Sequence, residues 1–124
     1  MKILVLGGGL MGPAAAYNAL QDAQVTGVTL ADMSAAQLAN ARARLVDKPN
    51  SAKLTTVQLD LHDHAAATQL MGQHDAIVAA LPSTIIATGL RAAIAARIER
   101  TGVSFSCTAF KSVASCNSIF LSPK

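Results

Sequence analysis

The 124-residue sequence predicts an α/β fold, an open parallel sheet in the strand order 3-2-1-4-5 with helices on both faces. Two observations predict it. Short β-forming runs alternate with helical segments five times along the chain, a rhythm that requires parallel strands joined by right-handed helical crossovers. Several of these runs are apolar throughout, which is typical of strands buried on both faces of a sheet.

The first strand and helix lie at the amino terminus. The run KILVL (2–6) stops at glycine and predicts a strand, and residues 11–21 predict a helix. Pro13 fits only in the first turn of that helix, where the backbone N–H groups have no partner within the helix. The helix therefore begins near Leu10, and the glycines form the turn before it.

The second strand is predicted at TGVTLAD (26–32), which is rich in β-branched residues and ends on an acid. Ser34 and Gln37 have the spacing of a capping box, so a helix is predicted to follow. Leu38, Ala41 and Leu45 mark its apolar face. The sequence therefore predicts a second strand followed by an amphipathic helix.

The third strand is predicted at LTTVQLDL (54–61), where apolar and polar residues alternate. Asp63 can cap a short helix that ends near Met71. The apolar run AIVAAL (76–81) predicts the fourth strand.

The carboxyl-terminal part is predicted to contain one more helix, capped by Ser83 or Thr84, and a fifth strand at 103–106. We predict one domain over residues 1–110 and an irregular tail over 111–124, because the tail has no clear period. A sheet truncated after strand 5 leaves an open edge, through which two copies could form a homo-oligomer.

The glycine turn carries the clearest functional signal. Gly7, Gly9 and Gly12 form the pattern G-x-G-x-x-G between a strand and a helix, as in the dinucleotide-binding turn of Rossmann-like domains. The first glycine permits the tight turn, the second lets the backbone approach a pyrophosphate, and the third allows close helix–strand packing. We therefore predict a dinucleotide cofactor.

Asp32 indicates which dinucleotide is bound. It lies twenty residues beyond Gly12, where a carboxylate can accept hydrogen bonds from the ribose hydroxyls of the adenosine half. It would repel the 2′-phosphate of NADP, and Met33 and Ser34, which follow it, supply no compensating cation. NAD is therefore predicted in preference to NADP.

Ligands on open parallel sheets lie beyond the carboxyl ends of the strands. For Asp60, a solvated strand end and an adenine contact are equally good interpretations. The predicted cofactor-binding residues are Gly7, Gly9, Leu10, Met11, Gly12, Asp32, Met33, Asp60, Leu61, Ala80 and Leu81.

Composition excludes several other classes. The net charge of +3 comes from scattered basic residues with few aromatic neighbours, which argues against nucleic acid as a partner. The cysteines at 107 and 116 have neither zinc nor disulfide-framework spacing, and His62, His64 and His74 are predicted to lie on the surface without binding metal. No run of 18 apolar residues predicts a membrane span, so a cytoplasmic protein is expected.

The order of motifs resembles the saccharopine dehydrogenase family and its lysine dehydrogenase relatives over residues 1 to about 110. The resemblance is carried by ILVLGGGLMGPAAA, VTLADMS, VQLDLHDHAAATQL, HDAIVAALP and IERTGVSFSCTAF. It implies an oxidoreductase that acts on carbon–nitrogen bonds of amino acids with NAD(P). It also implies cofactor contacts at Gly7, Gly9, Gly12, Asp32, Asp60 and Leu81.

The sequence departs from the family's pattern in two respects. Cys107 stands where the family usually places an aspartate, and the family's substrate-binding and catalytic segments follow the region matched here. We therefore name no catalytic residue. We expect this chain to be the cofactor-binding portion of such an enzyme, inactive by itself, with an amino-acid substrate only where a further domain is supplied.

Three alternative functions remain open. A regulatory nucleotide-sensing module would share the glycine turn and the acid after the second strand without catalysis. A folded remnant or assembly partner would bind little. A methyltransferase is less consistent with the sequence, because such proteins commonly carry an acid at the position that Val5 occupies here.

Overall fold

The computed structural model describes residues 1–82, 103–108 and 116–123, together with positions 85, 88 and 91. The strands are β1 (Lys2–Leu6), β2 (Gly27–Asp32), β3 (Leu54–Gln58), β4 (Ala76–Pro82), β5 (Val103–Thr108) and β6 (Cys116–Pro123). The helices are α1 (Met11–Leu20), α2 (Ala35–Leu45) and α3 (His64–Gly72), with a short 3-10 helix at Ser51–Lys53.

Four strands form the predicted parallel sheet. β1 pairs in parallel with β2 on one side and β4 on the other, and β3 pairs in parallel with β2. The order 3-2-1-4 is therefore confirmed. The helix predicted after β4 falls largely outside the described residues, and so does the boundary at residue 110, which stays a prediction.

The predicted position of the fifth strand beside β4 is not confirmed. The full order is β3-β2-β1-β4-β6-β5, in which β6 pairs antiparallel with both β4 and β5. Residues 116–123 thus form a strand where the sequence predicted an irregular tail. The consecutive residues Ile119, Phe120 and Leu121 favour a strand, and an antiparallel pair needs no helical crossover, so the short connection at 109–115 suffices.

Two of the helices begin where side chains cap them. The Ser34 hydroxyl accepts a hydrogen bond from the Gln37 backbone N–H at 3.4 Å, and the Asp63 carboxylate accepts one from Ala66 at 3.1 Å. These contacts satisfy N–H groups that the first helical turn leaves without partners. The caps predicted for α2 and α3 are confirmed.

Two apolar clusters cover the two faces of the sheet. One face packs alternate strand residues such as Leu4 against Ala67 and Met71 of α3. The opposite face packs residues such as Val5 against Leu20 of α1 and against α2. The helices therefore cover both faces, as the sequence predicted.

His74 is not a free surface residue. Its Nδ1 lies 2.7 Å from the carbonyl oxygen of Leu70, and its Nε2 lies 2.8 Å from the Thr29 hydroxyl oxygen. The carbonyl can only accept, so Nδ1–H donates to it, and in neutral histidine Nε2 then accepts from Thr29. The half-buried ring links the end of α3 to β2, which corrects the surface placement predicted from sequence.

Candidate cofactor-binding site

The carboxyl ends of β1, β2 and β4 open into a cavity of about 400 Å³. Ten of the eleven residues predicted for the cofactor line this cavity. They are Gly7, Gly9, Leu10, Met11, Asp32, Met33, Asp60, Leu61, Ala80 and Leu81. The remaining one, Gly12, lies behind the glycine turn and packs against its backbone.

Two glycines shape the turn itself. Gly7 has φ of +103°, a conformation that disfavours a side chain, and a β-carbon there would overlap the carbonyl oxygen of Ala80. A β-carbon on Gly12 would overlap the carbonyl oxygen of Gly7. Both positions therefore require glycine because the backbone is packed against them.

Gly9 differs from its neighbours because the space beside it is open. A β-carbon there would meet only the side-chain oxygen of Gln37, at 3.4 Å. The fold around Gly9 does not require a glycine, whereas close approach of a ligand to the backbone does.

The amino end of α1 has no side-chain cap, unlike those of α2 and α3. Its N-cap residue, Leu10, makes no capping hydrogen bond, and its first turn contains no acid. Leu10 is 81% exposed and lines the cavity. The unpaired N–H groups and positive dipole of this helix end can therefore receive an anionic group.

Asp32 is held between the glycine turn and α2. Its Oδ2 accepts a hydrogen bond from the Gly8 backbone N–H at 2.6 Å, and its Oδ1 accepts one from the Ser34 N–H at 2.7 Å. These two bonds fix the carboxylate at the cavity wall. Because a carboxylate oxygen can accept two hydrogen bonds, each oxygen retains acceptor capacity for a ligand.

Asp60 and His62 form a pair on the cavity rim. Oδ1 of Asp60 lies 2.9 Å from both the backbone nitrogen and the ring Nδ1 of His62. The backbone N–H of His62, and then its imidazole, hold the pKa of the Asp60 carboxyl below its ordinary value of 3.8. The sequence predicted Asp60 as a site residue but did not pair it with His62.

The lowered pKa of Asp60 gives a prediction for acid pH. The contact between His62 and the ionised Asp60 carboxylate makes its full contribution to stability above about pH 3.8, the ordinary pKa of this group. That contribution is lost as the pH falls through the lower pKa that Asp60 has in the folded state. We expect His62→Gln to raise the Asp60 pKa only part of the way, because the backbone N–H remains. Carboxyl-carbon NMR titration measures the pKa, and His64→Gln is the control that leaves it unchanged. A pKa unaltered by His62→Gln would contradict the side-chain contact.

Seven cavity residues are absent from the list of predicted cofactor-binding residues, although Pro82 was expected at the end of the fourth strand beside them. The seven are Leu6, Ala31, Gln37, Leu59, His62, Pro82 and Ile85. Most lie next to predicted residues at strand ends, so the strand-end rule could have found them. Gln37 had no such signal, because its spacing from Ser34 indicated a capping role.

The charge around the cavity is acidic. Its described lining contains Asp32 and Asp60 but neither lysine nor arginine. Two cations of the described residues lie away from the cavity. Lys2 is the first residue of β1. The Lys53 ammonium donates a hydrogen bond at 3.0 Å to the carbonyl of Val25, a residue just before β2. These two cations thus lie at the amino ends of the strands, opposite the cavity.

The sequence matches a family model described as "Saccharopine dehydrogenase NADP binding domain" over residues 3–118. The chain belongs to this family. The resemblance inferred from the motifs is thereby confirmed, and the cofactor class is NAD(P). The family's description names NADP, whereas the sequence predicted NAD, and the match does not show which of the two dinucleotides this chain binds.

Solved structures of low sequence identity share the fold. Saccharopine dehydrogenase (L-Glu forming) from Saccharomyces cerevisiae has a TM-score of 0.63 and 23% identity, over 77% of this chain and 20% of that one. A Rossmann-fold NAD(P)-binding family protein from Shigella flexneri has a TM-score of 0.58 and 22% identity, over 79% of this chain and 46% of that one. This chain thus corresponds to less than half the length of either protein.

The Rossmann fold alone does not decide the cofactor. A putative methyltransferase from Thermoplasma acidophilum also aligns, with a TM-score of 0.59 and 12% identity over 100% of this chain and 68% of that one. The family match distinguishes this chain from that class.

Neither a metal centre nor a membrane span is found in the part of the chain that the structure describes. No group of three or more histidine, cysteine or acidic side chains there could hold a metal ion. No helix among the same residues has the length and apolar character needed to cross a membrane.

Proposed function

We propose that this domain binds NAD, in preference to NADP, as the cofactor-binding portion of an oxidoreductase that acts on carbon–nitrogen bonds of amino acids. The observation that supports it best is the Asp32 carboxylate, fixed by two backbone N–H groups at the wall of a cavity whose described lining contains neither lysine nor arginine. The bound dinucleotide would supply the acceptor for a hydride.

In this proposal, Asp32 binds the adenosine ribose through hydrogen bonds. Its two hydrogen bonds to Gly8 and Ser34 hold the carboxylate in place before the ligand arrives, so little side-chain entropy is lost on binding. Its remaining acceptor positions receive the ribose hydroxyls. The bound pyrophosphate lies against Gly9 and the uncapped amino end of α1.

Discrimination against NADP follows from charge. A 2′-phosphate beside Asp32 would bring two negative groups together in a partly desolvated cleft. The described cavity lining contains Asp60 as a second carboxylate and neither arginine nor lysine to compensate the charge of a 2′-phosphate. The ribose of NAD carries no such phosphate and avoids this repulsion.

The adenine side of the cavity is apolar at its walls and polar at its rim. Leu59 and Leu61 are buried and line the cavity, and Met33, which is 63% exposed, borders it. These side chains provide surfaces for the base, and Asp60 is proposed to contact it from the rim. Leu81 and Ala80, at the end of β4, support the middle of the cofactor.

No catalytic residue is assigned. Ala80, Leu81 and Pro82 end β4 in the cavity and carry no acid or base. The amino-acid substrate is proposed to be held by a further domain. The open edge of the sheet remains a proposed contact between copies.

Replacing Asp32 by serine tests the proposed preference. We expect the ratio of NAD to NADP affinity to fall about tenfold, corresponding to about 1.4 kcal/mol, because the charge that repels the 2′-phosphate is removed. Calorimetry with both cofactors measures the ratio. Melting should also occur at a lower temperature, because the Gly8 and Ser34 N–H groups lose their acceptor.

The matched control is Asp22→Ser. Asp22 is an exposed acid whose Oδ1 accepts from the Gln24 N–H and which does not line the cavity. Its replacement should leave the affinity ratio unchanged. A folded Asp32→Ser variant with the parent's ratio would show that Asp32 does not face the ribose.

A further inference from the structure

We infer that Gln37 is a second specificity-determining residue, whose side-chain amide recognises the adenosine ribose beside Asp32. This inference rests on the proposed function and deepens it. The sequence assigned Gln37 to a capping box with Ser34. Its side chain instead lies at the cavity wall.

The local hydrogen bonds explain why the Gln37 amide is available. In a complete capping box, the side chain at this position would return to the backbone N–H of the cap residue. Here the Ser34 N–H donates instead to Asp32 Oδ1 at 2.7 Å. The Ser34 hydroxyl still accepts from the Gln37 backbone N–H, so the helix start is satisfied without the Gln37 amide.

The position of the amide points to the ligand site. Oε1 of Gln37 lies 3.4 Å from the place that a β-carbon on Gly9 would occupy, at the glycine where the backbone is open. Gln37 is exposed, and its side chain makes no hydrogen bond to another residue in the described part of the chain. An exposed amide without a protein partner thus borders both the glycine turn and the cavity.

The chemistry of an amide complements that of Asp32. Asp32 accepts a hydrogen bond from a ribose hydroxyl, and the Gln37 Nε2–H can donate to the same hydroxyl oxygen or to its neighbour. A hydroxyl suits this pair because it is both donor and acceptor. A 2′-phosphate would meet one negative group and one neutral group, so the pair offers it no charge compensation.

Gln37→Leu is the first test, because leucine retains the apolar stem but removes the amide. We expect NADH affinity to fall about fivefold, the effect of one lost hydrogen bond, with an unchanged melting temperature. The matched control is Gln69→Leu, an exposed glutamine of α3 that does not line the cavity. This control should bind NADH as the parent does.

Gln37→Arg tests the specificity directly. A guanidinium at this position would pair with a 2′-phosphate, so the ratio of NAD to NADP affinity should fall about tenfold or more. Calorimetry with each cofactor, on variants shown by circular dichroism to be folded, measures both effects.

The outcomes separate this inference from the proposed function. If the parent does not bind NADH, the proposed function fails. If the parent binds and Asp32→Ser changes the affinity ratio, but Gln37→Leu and Gln37→Arg both behave as the parent, only the role of Gln37 is overturned. A loss in Gln37→Leu together with a reduced ratio in Gln37→Arg supports it.

Discussion

The Gly12→Ala variant is expected to lose about 3 kcal/mol or more of unfolding free energy. The added β-carbon would overlap the Gly7 carbonyl oxygen and would also lie 3.4 Å from Cδ1 of Leu30. The Gly7 oxygen belongs to the backbone of a tight turn, and Gly7 is itself packed against the Ala80 carbonyl. Neither side can move without displacing the turn between β1 and α1.

Urea denaturation measures this loss, and Gly72→Ala provides the matched comparison. Gly72 also lies in a helix, but nothing stands within 4 Å of the β-carbon it would gain. The higher helix propensity of alanine should leave that variant as stable as the parent or up to about 1 kcal/mol more stable. Equal stability of Gly12→Ala and Gly72→Ala would mean that α1 does not pack against the turn as described.

The Gly9→Val variant is expected to fold and to lose NADH affinity at least about tenfold, which corresponds to about 1.4 kcal/mol. The side chain would occupy the open space beside the turn, where the proposed pyrophosphate lies. Only Oε1 of Gln37 stands near, and it is the end of a flexible side chain that can move away. The effect should therefore appear in binding rather than in stability.

Calorimetry with NADH measures the affinity, and Gly27→Val is the control. Gly27 begins β2 at the opposite end of the strands, and a β-carbon there would meet nothing within 4 Å. This variant should bind NADH as the parent does. If a folded Gly9→Val variant retains the parent's affinity, the pyrophosphate is not at this turn.

Much of the fold could be predicted because its signals are local. Pro13 required α1 to begin close to the glycine turn, and the observed helix begins at Met11. Ser34 and Asp63 marked the starts of α2 and α3 through short-range capping contacts. Each of these signals depends on residues within a few positions of one another.

The predictions that the structure did not confirm failed for a different physical reason. The pairing of β6 with β4 and β5 depends on contacts with distant parts of the chain, and the run at 119–121 alone does not specify its neighbours. His74 contacts Thr29, which lies 45 residues away. No local pattern encodes these partners.

The same distinction applies to the site. By itself, the sequence determined where the strands end, where the glycines turn and that an acid follows β2, because these features depend on neighbouring residue types. Only the tertiary structure decided that Asp32 accepts from Gly8, 24 residues away along the chain, and that the Gln37 side chain lies beside Gly9. The physical reason is that contacts between residues this far apart in sequence form only when α2 and the glycine turn pack together in three dimensions.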